Sequence, residues 1–342
     1  MRLVTYNVTW FDALFDRSGR LIDDGGASGL PGVTRAEQTA ALARVFAALD
    51  ADAVMVIEAP DTSRRRDGAA ALEHFAERFG LRARRALLGF VNLTQQEIAL
   101  LYDPDVLEAR HDPRGETDPG APGLPRFDGT FRIDLDIDGT LDRVQFSKPP
   151  LEVAATTRSG RRLRLIGVHA KSKAPHGARD PNEAHRLAIA ARRKQLAQCL
   201  WLRRRVEADL AQGEALVVMG DLNDGPGLDR FEALFGRSSV EIVLGEDRDA
   251  ELALFDPHAR QALLGPVGSA KPTTARFWIE TEDRWLSALL DYIMVSRELL
   301  ARRPCWRIWH PYEDAGCFGD PPLRDALIAA SDHFPVSLDI AL

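Results

Sequence analysis

The chain has 342 residues, 45% of them hydrophobic, enough to bury a sizeable core, and its formal charge of -7 argues against a protein that coats nucleic acid or anionic membrane through bulk charge. A pI near 5.7 agrees, and leaves room only for a local basic groove. Three cysteines, Cys199, Cys305 and Cys317, lie far apart without a C-x-x-C pair, which disfavours a disulfide framework or a thiolate zinc site.

Residues 2 to 8 read as a strand that delivers Asn7 after RLVTY, followed by a Gly-rich loop from Arg17 to Gly32. Thr34 then opens a helix with Glu37 three residues on, a capping box in which side chains satisfy the first free backbone amides. That helix runs to about Asp50 and buries Ala41, Val45, Phe46 and Leu49. The strand AVMVI places Glu58 at its end, a second helix carries Leu72, Phe75 and Phe79, and EIALLY ends at Asp103 and Pro104.

The stretch Asp112 to Gly129 is rich in Pro and Gly and reads as an irregular surface loop. The period then switches to two: Phe131, Ile133, Leu135 and Ile137 alternate with polar residues up to Asp138 and Gly139, a hairpin signal. A second hairpin joins LEVAATT to RRLRLIGVH through Ser159 and Gly160, so a purely parallel sheet is disfavoured. A long helix occupies about Asn182 to Gln212, stopped by Gly213, with Ile189, Leu196, Cys199, Leu200, Val206 and Leu210 on one apolar face. Arg192 and Arg203 fall within that face, which suits a structural ion pair or snorkelling better than a nucleic-acid stripe. Strand ALVVM leads into Asp221, a short helix lies around Phe231 to Phe235, and the last strands surround LLDYIMV and PVSLDIAL. Polar signatures spread from position 7 to position 333 favour one domain over residues 1–342.

The N-terminus reaches polar Asn7 too early for a signal-peptide core, and no stretch approaches the roughly 18 apolar residues of a membrane span. A soluble, cytoplasmic protein without stable membrane insertion is expected. The oligomeric state is left open.

Each polar signature ends an apolar run, and their chemistry is complementary. In GDLND the glycine permits a sharp turn that sets Asp221 and Asn223 at the mouth of a sheet. The carboxylate can handle a proton or a metal-bound water, and the amide can hold a phosphoryl oxygen without adding charge. SDHFPV sets Asp332 beside His333, whose imidazole can accept a proton near neutrality if a second carboxylate fixes its tautomer. Asp291 in LLDYIMVS is the candidate for that partner. His169 in GVHAKSK, beside Lys171 and Lys173, suits an anionic oxygen or protonation of a leaving group. Asn7 and Glu58 complete the set as oxygen ligands. Any one of these alone also reads as a strand end meeting a polar loop.

Phosphoester hydrolysis demands on the order of 20 kcal/mol of barrier lowering, of which general acid-base catalysis supplies only a few. A divalent cation and fixed dipoles are the natural remainder, and hard oxygen ligands favour Mg²⁺ or Mn²⁺ over zinc.

Taken together, TYN at 5 to 7, IE at 57 to 58, GVH at 167 to 169, GDLND at 220 to 224, DYIMVS at 291 to 296 and SDHFPV at 331 to 336 resemble the endonuclease/exonuclease/phosphatase superfamily, in the family's order and over essentially the whole chain. That group includes deoxyribonuclease I, exonuclease III, abasic-site endonucleases, neutral sphingomyelinases and inositol-polyphosphate phosphatases. The resemblance implies an α/β fold of four layers, two packed mixed β-sheets flanked by helices, with the site at one end. It implies Glu58 as the principal metal-binding residue, with Asn7 and Asp332 in the same metal region. His333 with Asp291 matches the pair that activates water or holds the scissile phosphate, Asp221 and Asn223 the pair that handles the proton and orients the phosphate, and His169 the second histidine of the deoxyribonuclease-like branch. Two departures stand out. FSKPPLEV carries Lys148 where relatives often have arginine, giving a point charge without a bidentate fork, and VIEAP lacks the Gln that often precedes the Glu.

The expectation is therefore a metal-dependent phosphoesterase, more a phosphodiesterase or nuclease than a monoesterase. Asn7, Lys148 and Lys171 are expected at the substrate, for which nucleic acid is one candidate. Two alternatives stand beside it: a phospholipid or inositol-phosphate phosphoesterase, whose docking aromatics would be Trp306 and Trp309, and a binding protein that keeps the fold without turnover. A calcineurin-like phosphatase is not matched, because no Asp-x-His near the start and no Gly-Asn-His-Glu segment occur.

Overall fold

A computed structural model describes residues 1–92, 94–118, 123–135, 139–174, 177–228, 232–246, 249–265, 271–279 and 283–342. Among these, two six-stranded sheets face each other. The first orders Cys305–Ile308, Val336–Asp339, Arg2–Asn7, Ala53–Ala59, Glu97–Tyr102 and Arg85–Leu88. The second orders Leu254–Phe255, Asp291–Ser296, Leu216–Asp221, Arg162–His169, Leu151–Thr157 and Leu107–His111. Each has one parallel pair, Arg2–Asn7 with Ala53–Ala59 and Arg162–His169 with Leu216–Asp221, and is antiparallel elsewhere.

Strand alternation sorts the apolar residues into three cores. Leu3, Met55 and Ile57 of the first sheet meet Leu165, Val217, Met219 and Ile293 of the second between the sheets. The opposite faces are covered by helices: Val4, Tyr6, Val54 and Val56 by Arg35–Leu49, Gly68–Arg78 and Pro321–Ala330, and Ile166, Val218 and Met294 by Pro181–Ala211, Ser239–Leu244 and Pro257–Leu264. The result is an α/β sandwich of four layers, as the resemblance implied. Gly167 lets the inner faces close up, since a Cβ there would sit 2.3 Å from the Met55 sulfur.

The capping box forms with both arms, Thr34 accepting from Glu37 N and Glu37 accepting from Thr34 N, ahead of a helix ending at Leu49. The long helix runs from Pro181 to Ala211, but its buried surface is wider than one stripe. Trp201 and Leu202 are buried as well, because the segment expected to be a surface loop folds back and packs Phe127 against Trp201. Arg192 pairs with Asp224 at 2.8 Å and Arg203 donates to the Val243 and Leu244 carbonyls, so both are structural. The alternating segment gives a short pair, Phe131–Ile133 with Asp142–Val144, while Ile137 and Asp138 lie outside the described residues. Phe231 also lies outside them, and the helix beyond it is Glu232–Phe235. No helix among the described residues is long and apolar enough to cross a membrane.

Candidate active site

The alternation that fills the inter-sheet core also determines what stands at its end. Asn7, His169, Asp221 and Asp291 share parity with the inward Leu3, Leu165, Met219 and Ile293, so the apolar layer terminates in polar groups. In the second sheet, Asp221 lies opposite His169 on one side and Asp291 on the other. From the first sheet, the Asn7 amide donates to Asp221 Oδ2 at 3.2 Å.

Glu58 would face the helices by the same alternation. A bulge between Ile57 and Ala59, with Glu58 itself in the left-handed region at φ 64°, turns it toward the site. There Glu58 Oε1 stands 3.9 Å from His169 Nε2, and Oε2 accepts from Trp10 N at 2.9 Å. Thr9 and Trp10 also have positive φ, 45° and 57°, and this tight turn ties the three expected metal residues together. Thr9 N donates to Asn7 Oδ1, Trp10 N to Glu58, and the Thr9 hydroxyl to Asp332 Oδ1 at 2.5 Å.

Asp221 is fully oriented: Asn223 donates to it from both its backbone N at 2.7 Å and its side-chain amide at 3.0 Å. Burial dominates nonetheless, and with the charge of Asp291 it pushes the Asp221 carboxyl up to about 7 against the pull of His333. His333 Nδ1 bonds Asp291 Oδ2 at 2.8 Å. Burial works against the charged imidazole of His333, but Asp291, then Asp221 and Asp332, carry it well above the ordinary histidine value. His169 goes the other way: burial, with the charges of Lys148 and His333, holds it well below that value. Lys148 Nζ lies 2.8 Å from His169 Nε2 and donates to Gln96 at 3.0 Å, and burial pushes it down to about 8 although Glu58 and Asp221 favour its charge.

Thus Asn7, Glu58, Lys148, His169, Asp221, Asn223, Asp291, Asp332 and His333 meet at one end of the sandwich. Lys171 does not join their contacts: its ammonium donates to the Ser172 carbonyl, and Lys173 pairs with Asp224 at 2.5 Å. Sequence reading passed over three supports. Gln38 reaches from its helix to the carbonyls of Val8, Thr9 and Ala330 at 3.4, 3.1 and 3.0 Å. Thr274 accepts from Leu290 N and Asp291 N, both at 2.9 Å. Ser331 donates to Asn7 O at 2.7 Å and accepts from His333 N. YNVTW and SDHF carried a positional hint for Thr9 and Ser331; a glutamine near the start of its helix gave none.

Glu58, Asn7 and Asp332 offer only hard oxygens, and among the described residues no group of three or more His, Cys, Asp or Glu is placed to hold a metal ion. Oxygen donors of this kind would suit a hard divalent cation better than a thiolate zinc site.

The model of the Endonuclease/Exonuclease/phosphatase family matches residues 4–333. The chain belongs to this family. Members of the endonuclease/exonuclease/phosphatase family are hydrolases of phosphoester bonds. Solved structures with the same fold include an AP endonuclease from Archaeoglobus fulgidus, 11% identical over 100% of both chains at a TM-score of 0.51. A family protein from Bacteroides thetaiotaomicron is 11% identical over 99% of this chain and 96% of that one, at 0.50. A truncated Caenorhabditis elegans TDP2 is 13% identical over 100% of this chain and 97% of that one, at 0.49. No curated protein matches the chain. At such identities the likeness of the first two is one of fold, and it agrees with the two mixed sheets described above.

Proposed function

We propose that the chain is a divalent-metal-dependent phosphodiesterase or nuclease built as one domain. The observation that supports this most is geometric: Asp221 lies between His169 and Asp291 in its sheet and accepts from the amides of Asn7 and Asn223, while Asp291 holds His333 through Nδ1 at 2.8 Å. A base poised near neutrality beside a fixed cation is what water attack on an anionic phosphorus requires.

In this reading Asp221 takes the proton of the attacking water, and Asn223 with Asn7 fixes the direction of its lone pairs. Of the two roles open to His333, holding the phosphate is favoured over activating water, since an imidazole already protonated cannot act as a base. Its free Nε2–H donates to a phosphoryl oxygen, while Asp291 stabilises the imidazolium. His169, neutral, and Lys148, a single point charge, line the opposite side and suit a leaving alkoxide or a singly charged diester oxygen. Glu58, with Asn7 and Asp332, would hold the divalent cation, which would supply charge neutralisation at the phosphoryl oxygens.

The phospholipid reading loses its expected docking residues. Trp309 is buried with its N–H on Ser337 Oγ, and Trp306 donates to the Ile293 carbonyl. Hydrolysis of methyl p-nitrophenyl phosphate and of linear single-stranded DNA, with Mg²⁺ and with EDTA, tests the proposal. Undiminished turnover in EDTA, or full activity in Asp221→Ala and His333→Ala, would falsify it.

A further inference from the structure

Beside the site, on the side of Ser331 and Asp332, opens a groove of about 660 Å³. Its outer wall is the hairpin Ala275–Ile279 with Arg284–Ala288, on which Trp278 and Trp285 are a direct cross-strand pair with ring centroids 5.6 Å apart. Both are half exposed, at 45% and 54%, and Tyr312 across the groove is exposed to 47%. Large aromatic side chains left in water around one concavity are costly unless something covers them. Between the rings lies Arg276, its guanidinium 4.6 Å from the centroid of Trp285 and 5.4 Å from that of Tyr312. No carboxylate among the described residues pairs with it. Its backbone N donates to the Asp332 carbonyl at 2.8 Å, which fixes the hairpin to the site.

A second cleft opens where the chain leaves Glu58, lined by Arg17, Arg64, Arg65 and Gln95 and by Arg66, which pairs with the lining Asp12 and Asp61. Gln95 precedes the Gln96 that receives Lys148, so this cleft, with more arginines than aspartates in its lining, flanks the His169 end of the site. Basic residues thus stand at one flank, and an aromatic groove with one guanidinium at the other.

We propose that the groove binds an unpaired nucleobase of a single-stranded polynucleotide, stacked on Trp285 or Tyr312, with Arg276 on the adjoining non-scissile phosphate and the arginine cleft receiving the strand on the far side of the cut. The inference rests on the phosphodiesterase reading of the site and names its substrate class. A base must be unstacked to meet a side-chain ring, so a duplex cannot use this surface as it stands. An acyl chain would bury the guanidinium of Arg276 without a counter-charge, which is unfavourable, whereas a phosphate supplies one. The overall negative charge agrees with short local contacts rather than duplex coating.

The test is fluorescence anisotropy of a labelled ten-nucleotide single strand, in deoxy and ribo form, and of its duplex, with the Mg²⁺-loaded His333→Ala protein to suppress cutting. The same protein is titrated with phosphatidylcholine vesicles. Stacking contributes about 1–3 kcal/mol per base, so Trp285→Ala and Tyr312→Ala should each weaken one or both single strands about tenfold, and Trp285→Phe by no more than about threefold. Arg276→Gln should lower the salt slope by roughly 0.7, the share of one phosphate contact on a single strand. Equal binding of strand and duplex, strand affinity unmoved by Trp285→Ala, or Trp285-dependent partition onto vesicles without strand binding would each overturn it. Absence of wild-type hydrolysis of methyl p-nitrophenyl phosphate would instead overturn the phosphodiesterase reading, so the two failures are distinguishable.

Discussion

The Asn7 amide reaches across the gap between the two sheets to the Asp221 carboxylate, 3.2 Å away, and so links the sheet that carries Glu58 directly to the proposed base. Removing that base should be costly for turnover and cheap for the fold. Asp221→Asn is expected to lower kcat/KM about 10²- to 10⁴-fold while leaving the melting temperature unchanged or raised, because a buried carboxylate is lost. Steady-state kinetics and a thermal melt on the same preparation decide it; a large drop in melting temperature would mark Asp221 as structural.

The pH profile should follow. Asp221 is pushed up to about 7 chiefly by burial, and the proposed base works only when deprotonated. Activity should therefore fall about tenfold per unit as pH drops below the midpoint, with a slope of one. A cation on Glu58 stabilises the charged form, so the midpoint should move down as Mg²⁺ is raised. A profile flat between pH 5 and 8 at low Mg²⁺ would contradict the assignment.

Chelation offers a separate check on Glu58. EDTA should abolish hydrolysis, Mg²⁺ or Mn²⁺ should restore it, and Glu58→Gln should raise the Mg²⁺ needed for half activity by tenfold or more. Isothermal titration of Mg²⁺ into both proteins gives the same answer without turnover. Equal affinities would remove Glu58 from the metal.

His310 makes a prediction about stability. Its Nδ1 accepts from the backbone N of Tyr312 and Glu313, so the ring must be neutral there, and burial with the Arg276 charge pushes it down to about 4. The unfolded chain binds a proton at the ordinary value near 6.5, the folded chain only near 4. This contribution is fully present above about pH 6.5 and is lost as pH falls toward 4. His310→Asn, which keeps an acceptor, should flatten the urea midpoint over that window relative to wild type.

Four site residues were legible because alternation along an apolar strand is a physical constraint. Asn7, His169, Asp221 and Asp291 continue the inward parity of their strands, so reading the strands correctly also aimed these side chains. Glu58 was legible only by position: alternation alone sends it to the helical side, and the bulge that recovers it has no signature in VIEAP. Lys171 was read as a neighbour of His169, but past the strand end the backbone turns and its ammonium finds the Ser172 carbonyl. Gln38 and Thr274 act through backbone groups of other segments, which no local pattern encodes. The same holds for Phe127, buried by a loop whose Pro and Gly content speaks only of turns.

Gln38 is the sharpest test of that silent layer. Gln38→Met keeps the volume and leaves the carbonyls of Val8, Thr9 and Ala330 without this donor, at a cost of about 1–3 kcal/mol. Urea unfolding should register this, and kcat should fall more than KM rises, since the Thr9 turn orients the metal residues. An unchanged kcat in a destabilised variant would confine Gln38 to the core.

The Val336–Asp339 strand is seated between Cys305–Ile308 and Arg2–Asn7, so the first sheet closes only when segments over three hundred positions apart are both present. On the ribosome, Asn7, Glu58, His169, Asp221 and Asp291 emerge well before His333 and the strand that anchors it. The candidate site is thus completed only by this last pairing, and loss of the Val336–Asp339 strand would remove the anchor of Asp332 and His333 together.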